Sequence, residues 1–190
     1  MDLRDWILAD HEAVGGRLDR EILALVPRER WLERPGDGGT SVAWCLWHVA
    51  RHHDLAVNCV LRGRPPVLDD WSARVGADRI AAGGGMSETE DPDVSAVLNL
   101  EELDGYLTAA RAEAQTWLIT APLHDLAGVP DAAAGLADLG GVPEDGYDWL
   151  YSLWAGKPRS FFIQWSAIGH PQNHVGEMVA VRNRMGLSPF

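Results

Sequence analysis

Three of the seven histidines carry the clearest chemical signal in this chain. His170 and His174 stand four residues apart in GHPQNHVGEM, and His48 lies in the apolar run VAWCLWHVA. If both runs are helical, His170 and His174 project from consecutive turns, about 6 Å apart along the axis, and can aim nitrogens at one ion about 2 Å from each. His48 can supply a third nitrogen from a facing helix. Three protein ligands leave a position open for water or substrate, which suits a Lewis acid or a holder of an activated nucleophile better than a closed structural site. HxxxH alone is a weak signal, because buried histidines also bond to carbonyls and neighbouring side chains. His52 follows His48 by one turn and competes for the third place, whereas His53 is less aligned; both are expected on a partly exposed polar edge. Glu177, three residues after His174, can ligate, orient a histidine or simply face solvent, and stays outside the site. His11 and His124 have no paired partner in sequence and are read as structural.

The elements that must position these residues can be read from periodicity and breakers. A first helix is expected from Asp2 to about Val26, with Trp6, Leu18, Ile22 and Leu25 inward and Gly15-Gly16 weakening its middle. After Pro27 and RPGDGG, a second helix begins with Thr40 or Ser41 as cap, runs to Arg62 and ends at Gly63 and Pro65-Pro66. Residues 69–93, rich in Gly, Asp and Glu, read as a long connection with one short helical turn around Trp71. A third helix is expected from Val94 to Leu118, closed by Pro122. Residues 119–148 read as a cap or connection without a long helix. A last helix from about Pro158 to Met185 places Ile163, Ala167, His170, His174, Met178, Val181 and Met185 on one stripe. Pro171 should bend it locally, since it cannot give the bond from residue 171 to residue 167. No alternating β-branched run is long enough for a sheet and no solenoid repeat is visible. An all-α, four-helix bundle within one domain, residues 1–190, is the economical solution.

Composition narrows the function classes. Sixteen basic against twenty-eight acidic residues give a formal charge of −12, which repels phosphate backbones and argues against a nucleic-acid partner. The start MDLRDWILAD lacks a basic region followed by an apolar stretch, and no run reaches the roughly 18 apolar residues of a membrane span. A cytoplasmic protein without a membrane partner is expected. Cys45 and Cys59, the two cysteines, fall on one expected helix about 21 Å apart, beyond disulfide reach, and read as small core residues. Nine tryptophans imply large aromatic wedges. Trp44, Trp47, Trp149, Trp154 and Trp165 can build core, seam or pocket, with Trp165 the best pocket-lining candidate. No GxGxxG follows a strand, no GxxxxGK[ST] occurs, and GGTS and AAGGGMS are read as glycine-rich loops only. No nucleophile-elbow signature supports a serine triad.

The segments WHVARHHDLAVN and HPQNHVGEMVAVRNRMGL resemble the DinB-like superfamily of metal-binding helical proteins. The resemblance spans most of the chain, although its specific motifs lie in those two segments. It implies a four-helix bundle with up-up-down-down connectivity, often dimeric, and a divalent ion held by His48, His170 and His174. It also points to zinc or nickel. Three imidazoles accept zinc, nickel or iron (Zn2+, Ni2+ or Fe2+), and zinc is the first choice because it tolerates three nitrogens plus an open position.

Characterised relatives include thiol-dependent transferases and isomerases. The resemblance therefore implies an enzyme that activates a low-molecular-weight thiol, mycothiol in actinobacterial relatives, for transfer to or isomerisation of a small acceptor. A metal-dependent hydrolase is the alternative enzyme, with Glu177 and Asp54 as candidate bases. A metal-stabilised interaction module or homodimer is the non-enzymatic alternative. His48 is expected to be the cross-helix ligand whose loss removes metal but leaves the fold.

Overall fold

The computed structural model describes residues 1–36 and 39–190. Among them the regular structure is entirely helical. The α-helical segments are α1 (Leu3–Leu18), α2 (Val42–Asp54), α3 (Leu68–Val75), α4 (Asp91–Ser95), α5 (Leu100–Thr120), α6 (Ala132–Ala134), α7 (Asp148–Trp154), α8 (Arg159–Phe161) and α9 (His170–Arg184). Part of the RPGDGG separator, Asp37 and Gly38, lies outside the described residues.

Helix α1 starts at a reciprocal cap in which Asp2 and Asp5 bond each other's backbone N–H. It continues as a wider π-helical stretch, Asp19–Leu23, and ends before Val26. Trp6, expected inward, is 56% exposed, since the inward stripe is carried instead by Ile7, His11, Gly15 and Leu18. Helix α2 starts where expected: the Ser41 hydroxyl accepts the Trp44 N–H at 3.1 Å, meeting one of the N–H groups a helix start leaves open. With its continuation Leu55–Leu61 it is buried on every side. A helix buried all round must lie centrally, and α2 packs on both α5 and α9. Helix α1 also lies against α5 and α9. The walls of α2 are therefore contributed by helices far away in sequence.

Two expectations for the middle of the chain need correction. The turn around Trp71 is the two-turn helix α3, stopped by Gly76 in the left-handed region (φ +84°). The third helix is split, with α4 ending at Ser95 and α5 beginning at Leu100. The break is fixed by Asn99, whose N–H bonds to the Val75 carbonyl and whose side chain both accepts from Glu101 N–H and donates to the Arg74 carbonyl. Tertiary bonds to the end of α3 thus outcompete continuation of the helix. Residues 121–147 contain no long helix: a 3-10 turn at Leu123–Asp125 is followed by α6, which continues as a π-helical stretch, Gly135–Leu139.

The last helical run begins at α8 and passes through a π-helical stretch, Phe162–Gly169, into α9. Pro171 has no N–H to give, and ahead of it the His170 N–H reaches back five residues to the Trp165 carbonyl. The wider register lets the helix pass the proline without ending. The stripe read from sequence faces inward: Ile163, Ala167, His170, Met178 and Val181 are buried. Trp44, Trp47 and Trp154 fill the core, whereas Trp149 is 41% exposed and serves as no core wedge. Cys45 and Cys59 are buried free thiols. No helix among the described residues is long and apolar enough to cross a membrane.

Candidate metal centre

Helices α2 and α9 pack side by side, and this brings together three histidines that are 122 and 4 positions apart in the chain. His48 Nε2 lies 3.0 Å from His170 Nε2, and His174 Nε2 lies 3.2 Å from the same atom. Their ligand atoms form a set within 4.8 Å of one another. Such spacings are those of nitrogens sharing one ion at bonds of about 2.0–2.1 Å.

The far side of each ring decides what the near side can do. His48 Nδ1 donates to the Gly85 carbonyl at 2.7 Å. His174 Nδ1 donates to Glu177 Oε2 at 2.8 Å. An acceptor at Nδ1 keeps the proton there and leaves a lone pair on Nε2. Two lone pairs therefore point at His170 Nε2, and the single N–H available to a neutral His170 cannot serve both along straight bonds. His170 Nδ1 is buried and has no hydrogen-bond partner. A cation at the convergence point resolves this crowding of acceptors, so the residues fit a divalent ion.

The electrostatics agree. Burial, reinforced by the facing His174, pushes His48 down to about 3. Burial and then the neighbouring imidazoles push His170 far below the ordinary histidine range. Neutral imidazoles are the ligating form. Glu177 is held below the usual carboxylate range, chiefly by its hydrogen bond from His174.

Several residues that the sequence left outside the site support it. The loop Gly83–Gly85, read only as a glycine-rich connection, lies along α2: Trp47 Nε1 donates to the Gly84 carbonyl at 3.2 Å while Gly85 accepts from His48. Gly85 has φ +88°, and a Cβ there would lie 2.1 Å from Trp47 Nε1. The run GGG was the available clue, since glycine is needed where backbone must approach a ring this closely. Trp44 stacks on His48 with centroids 4.5 Å apart. The Thr40 hydroxyl donates to Glu177 and lies 3.2 Å from Cys45 Sγ. Glu177 thus touches the cluster through His174.

Cys45, His174 and Glu177 form a second close set. Burial raises the Cys45 thiol well above its ordinary range, and a protonated thiol is a poor ligand. His52 and His53 depart from the expected polar edge: they are 3% and 2% exposed. His52 stacks on His170 at 3.8 Å with planes 20° apart, so it braces the ring rather than replacing it. His53 faces His11, centroids 5.3 Å apart. His124 is exposed. Trp165 lies 6.0 Å from His170. Asp54 accepts from Asn58, Tyr106 and the backbone N–H groups of Val67 and Leu68. It anchors α3 to α2 and has no free lone pair directed at the cluster.

No curated protein matches the chain. Among solved structures, a crystal structure of a conserved protein from Enterococcus faecalis is similar, with a TM-score of 0.66 and 23% identity, covering 98% of this chain and 99% of that one. At this identity the likeness concerns the fold. The family model of the DinB superfamily matches residues 16–178, a span that includes His48, His170 and His174; the chain belongs to the DinB superfamily.

Proposed function

We propose that this protein is a divalent-metal enzyme in which His48, His170 and His174 bind the ion through Nε2 and a low-molecular-weight thiol takes the open position for transfer or isomerisation. The single observation that carries the metal reading is the fixing of both outer rings: Gly85 and Glu177 hold the His48 and His174 protons on Nδ1. When bound, the ion would lower the pKa of a ligand thiol and present it as a thiolate. The chain's own residues then have defined tasks. Gly85 and Glu177 orient the outer imidazoles, His52 and Trp44 brace His170 and His48, and Trp165 stands edge to face with His170. The reading extends to one DinB-like domain, a four-helix bundle with up-up-down-down connectivity, able to pair as a homodimer in the cytoplasm. Zinc is the first choice, with nickel or iron as alternatives, and mycothiol is the thiol class carried over from relatives.

Hydrolysis is the weaker reading because its candidate bases are engaged. Asp54 is saturated by its four donors, and Glu177 is taken up by His174 and Thr40. The net charge of −12 disfavours nucleic acid as a partner. Cobalt-substituted protein titrated with mycothiol, other small thiols and buffer tests the proposal. A thiolate-to-metal charge-transfer band that saturates with thiol is the expected result. Stoichiometric cobalt with an unchanged spectrum at every thiol concentration overturns the thiol assignment, while absence of cobalt uptake overturns the metal centre itself.

A further inference from the structure

The loop that tethers His48 is itself gripped by one carboxylate. The carbonyl that accepts from His48 Nδ1 belongs to the Gly85–Met86 peptide. The peptides on either side of it both donate to Glu90 Oε2, Gly85 N–H at 3.1 Å and Ser87 N–H at 2.8 Å. The other oxygen, Oε1, accepts from the Tyr147 hydroxyl at 2.6 Å. Burial first and Glu90 second push the Tyr147 phenol up, so it stays a donor. The Tyr147 ring also covers Gly83, where a Cβ would lie 2.9 Å from its Cε2. Tyr147 therefore closes on both ends of segment 83–90. Its own surroundings are fixed separately: buried Arg51, one turn after His48 on α2, donates to the Gly140 carbonyl, and the Tyr151 hydroxyl donates to the Val142 carbonyl at 2.6 Å.

We propose that Glu90 and Tyr147 are positioning residues for the metal centre: through Gly85 they hold the His48 proton on Nδ1 and keep its Nε2 free for the ion. The proposal rests on the metal reading above. Both residues act at one remove, since their hydrogen bonds end on the loop rather than on an imidazole. Gly83, Gly84 and Gly85 follow one another, two of them at positive φ, and such a run has no side chains to fix where its carbonyls point. Hydrogen bonds to a carboxylate are stronger than those between neutral groups, and two of them bracket the one peptide that matters. Without Glu90 the Gly85 carbonyl can turn away. His48 then lacks an acceptor at Nδ1 and can carry its proton on Nε2, where it blocks ligation. Trp47 still holds the adjacent Gly84 carbonyl, so the loop should loosen without detaching from α2.

Nitrogen NMR of metal-free protein carrying 15N-labelled histidine reads the proton position directly, and chelator competition reads cobalt affinity. In the wild type His48 should be protonated at Nδ1. Glu90→Ala should shift its signals towards the Nε2-protonated tautomer and lower cobalt affinity about 10- to 100-fold, as loss of a group supporting a ligand does. Tyr147→Phe keeps the ring on Gly83 and removes only the hydroxyl, so a fall of about 2- to 10-fold is expected. Glu90→Gln still offers an oxygen to Gly85 and Ser87 and should bring both readouts back towards wild type. Leu118→Ala truncates a buried side chain on α5; it lowers stability away from the loop and should move neither readout. An unshifted His48 tautomer or an unchanged cobalt affinity in Glu90→Ala overturns the proposal, as does an equal response to Leu118→Ala. If Glu90→Ala does not fold, Tyr147→Phe decides by the same two readouts. Absence of cobalt from the wild type overturns the metal reading instead, and the tautomer of the metal-free protein still tells whether Glu90 holds His48.

Discussion

Two groups of histidines are built around α2, and they differ in what holds their far nitrogens. In the group shared with α9, His48 and His174 are tethered through Nδ1 to Gly85 and Glu177, and their Nε2 atoms converge on His170. In the group shared with α1, His11 and His53 meet edge to face, and each has a buried nitrogen with no partner. A carboxylate supports the first group and a guanidinium overhangs the second. Similar burial therefore serves two arrangements, a convergence of lone pairs suited to a cation in one case and an untethered pair of imidazoles beside the Arg111 guanidinium in the other. Burial of imidazoles alone says little about their chemistry; the tethers decide it.

The contrast can be broken most severely at the convergent nitrogens. Replacing His48 or His170 by Ala should lower metal affinity by well over about 100-fold, beyond the roughly 10- to 100-fold loss typical of a supporting contact. Helicity by circular dichroism should persist, because the apolar core around Leu46, Val49, Val175 and Met178 still holds α2 against α9. Metal titration of His48→Ala with wild-type affinity would sink the assignment of the cross-helix ligand.

Glu177→Gln should act one step further out. It keeps the shape but replaces the carboxylate that holds the His174 proton, so metal affinity should fall about 10- to 100-fold. An unchanged affinity in competition with a chelator would mean that Glu177 does not tune the ring.

Gly85→Ala probes the backbone tether. The added methyl meets Trp47 and the φ of +88° becomes strained, so a stability loss of about 1–3 kcal/mol is expected. Denaturant unfolding of the metal-free protein measures it. Metal affinity should fall as well, since the Gly85 carbonyl leaves His48. A methyl accommodated without change in either quantity would show that the loop is only resting on α2.

The smallest effect is a graded one with pH. His11, His48 and His53 are depressed from 6.5 to about 4, 3 and 3. Between those folded values and 6.5 the unfolded chain binds more protons, so stability contributed by these neutral rings is complete above about 6.5. It is lost as pH falls towards 3–4. Urea unfolding of metal-free protein at pH 7 and pH 4.5 should therefore show a lower midpoint in acid, and His53→Phe should flatten that dependence. Identical slopes for wild type and variant would show that His53 is not one of the groups responsible.

The sequence by itself determined the long helical runs, the Ser41 cap, the loop-rich character of residues 121–147 and the inward stripe that carries His170 and His174. These follow from local capping, glycine and proline breakers and a period near 3.6, all of which act over a few residues. It also singled out the three histidines through spacing and family resemblance. What only the tertiary structure decided depends on partners distant along the chain. The split before α5 comes from Asn99 bonding to the end of α3. The burial of His52 and His53 comes from α2 being enclosed on every side, which no single-helix pattern reveals. The proton positions on His48 and His174 are set by Gly85, 37 residues away, and by Glu177 with Thr40, 137 residues from it. Helical spacing can bring side chains to one face, but the acceptor that fixes a tautomer is supplied by whichever backbone or carboxylate the packed chain places behind the ring.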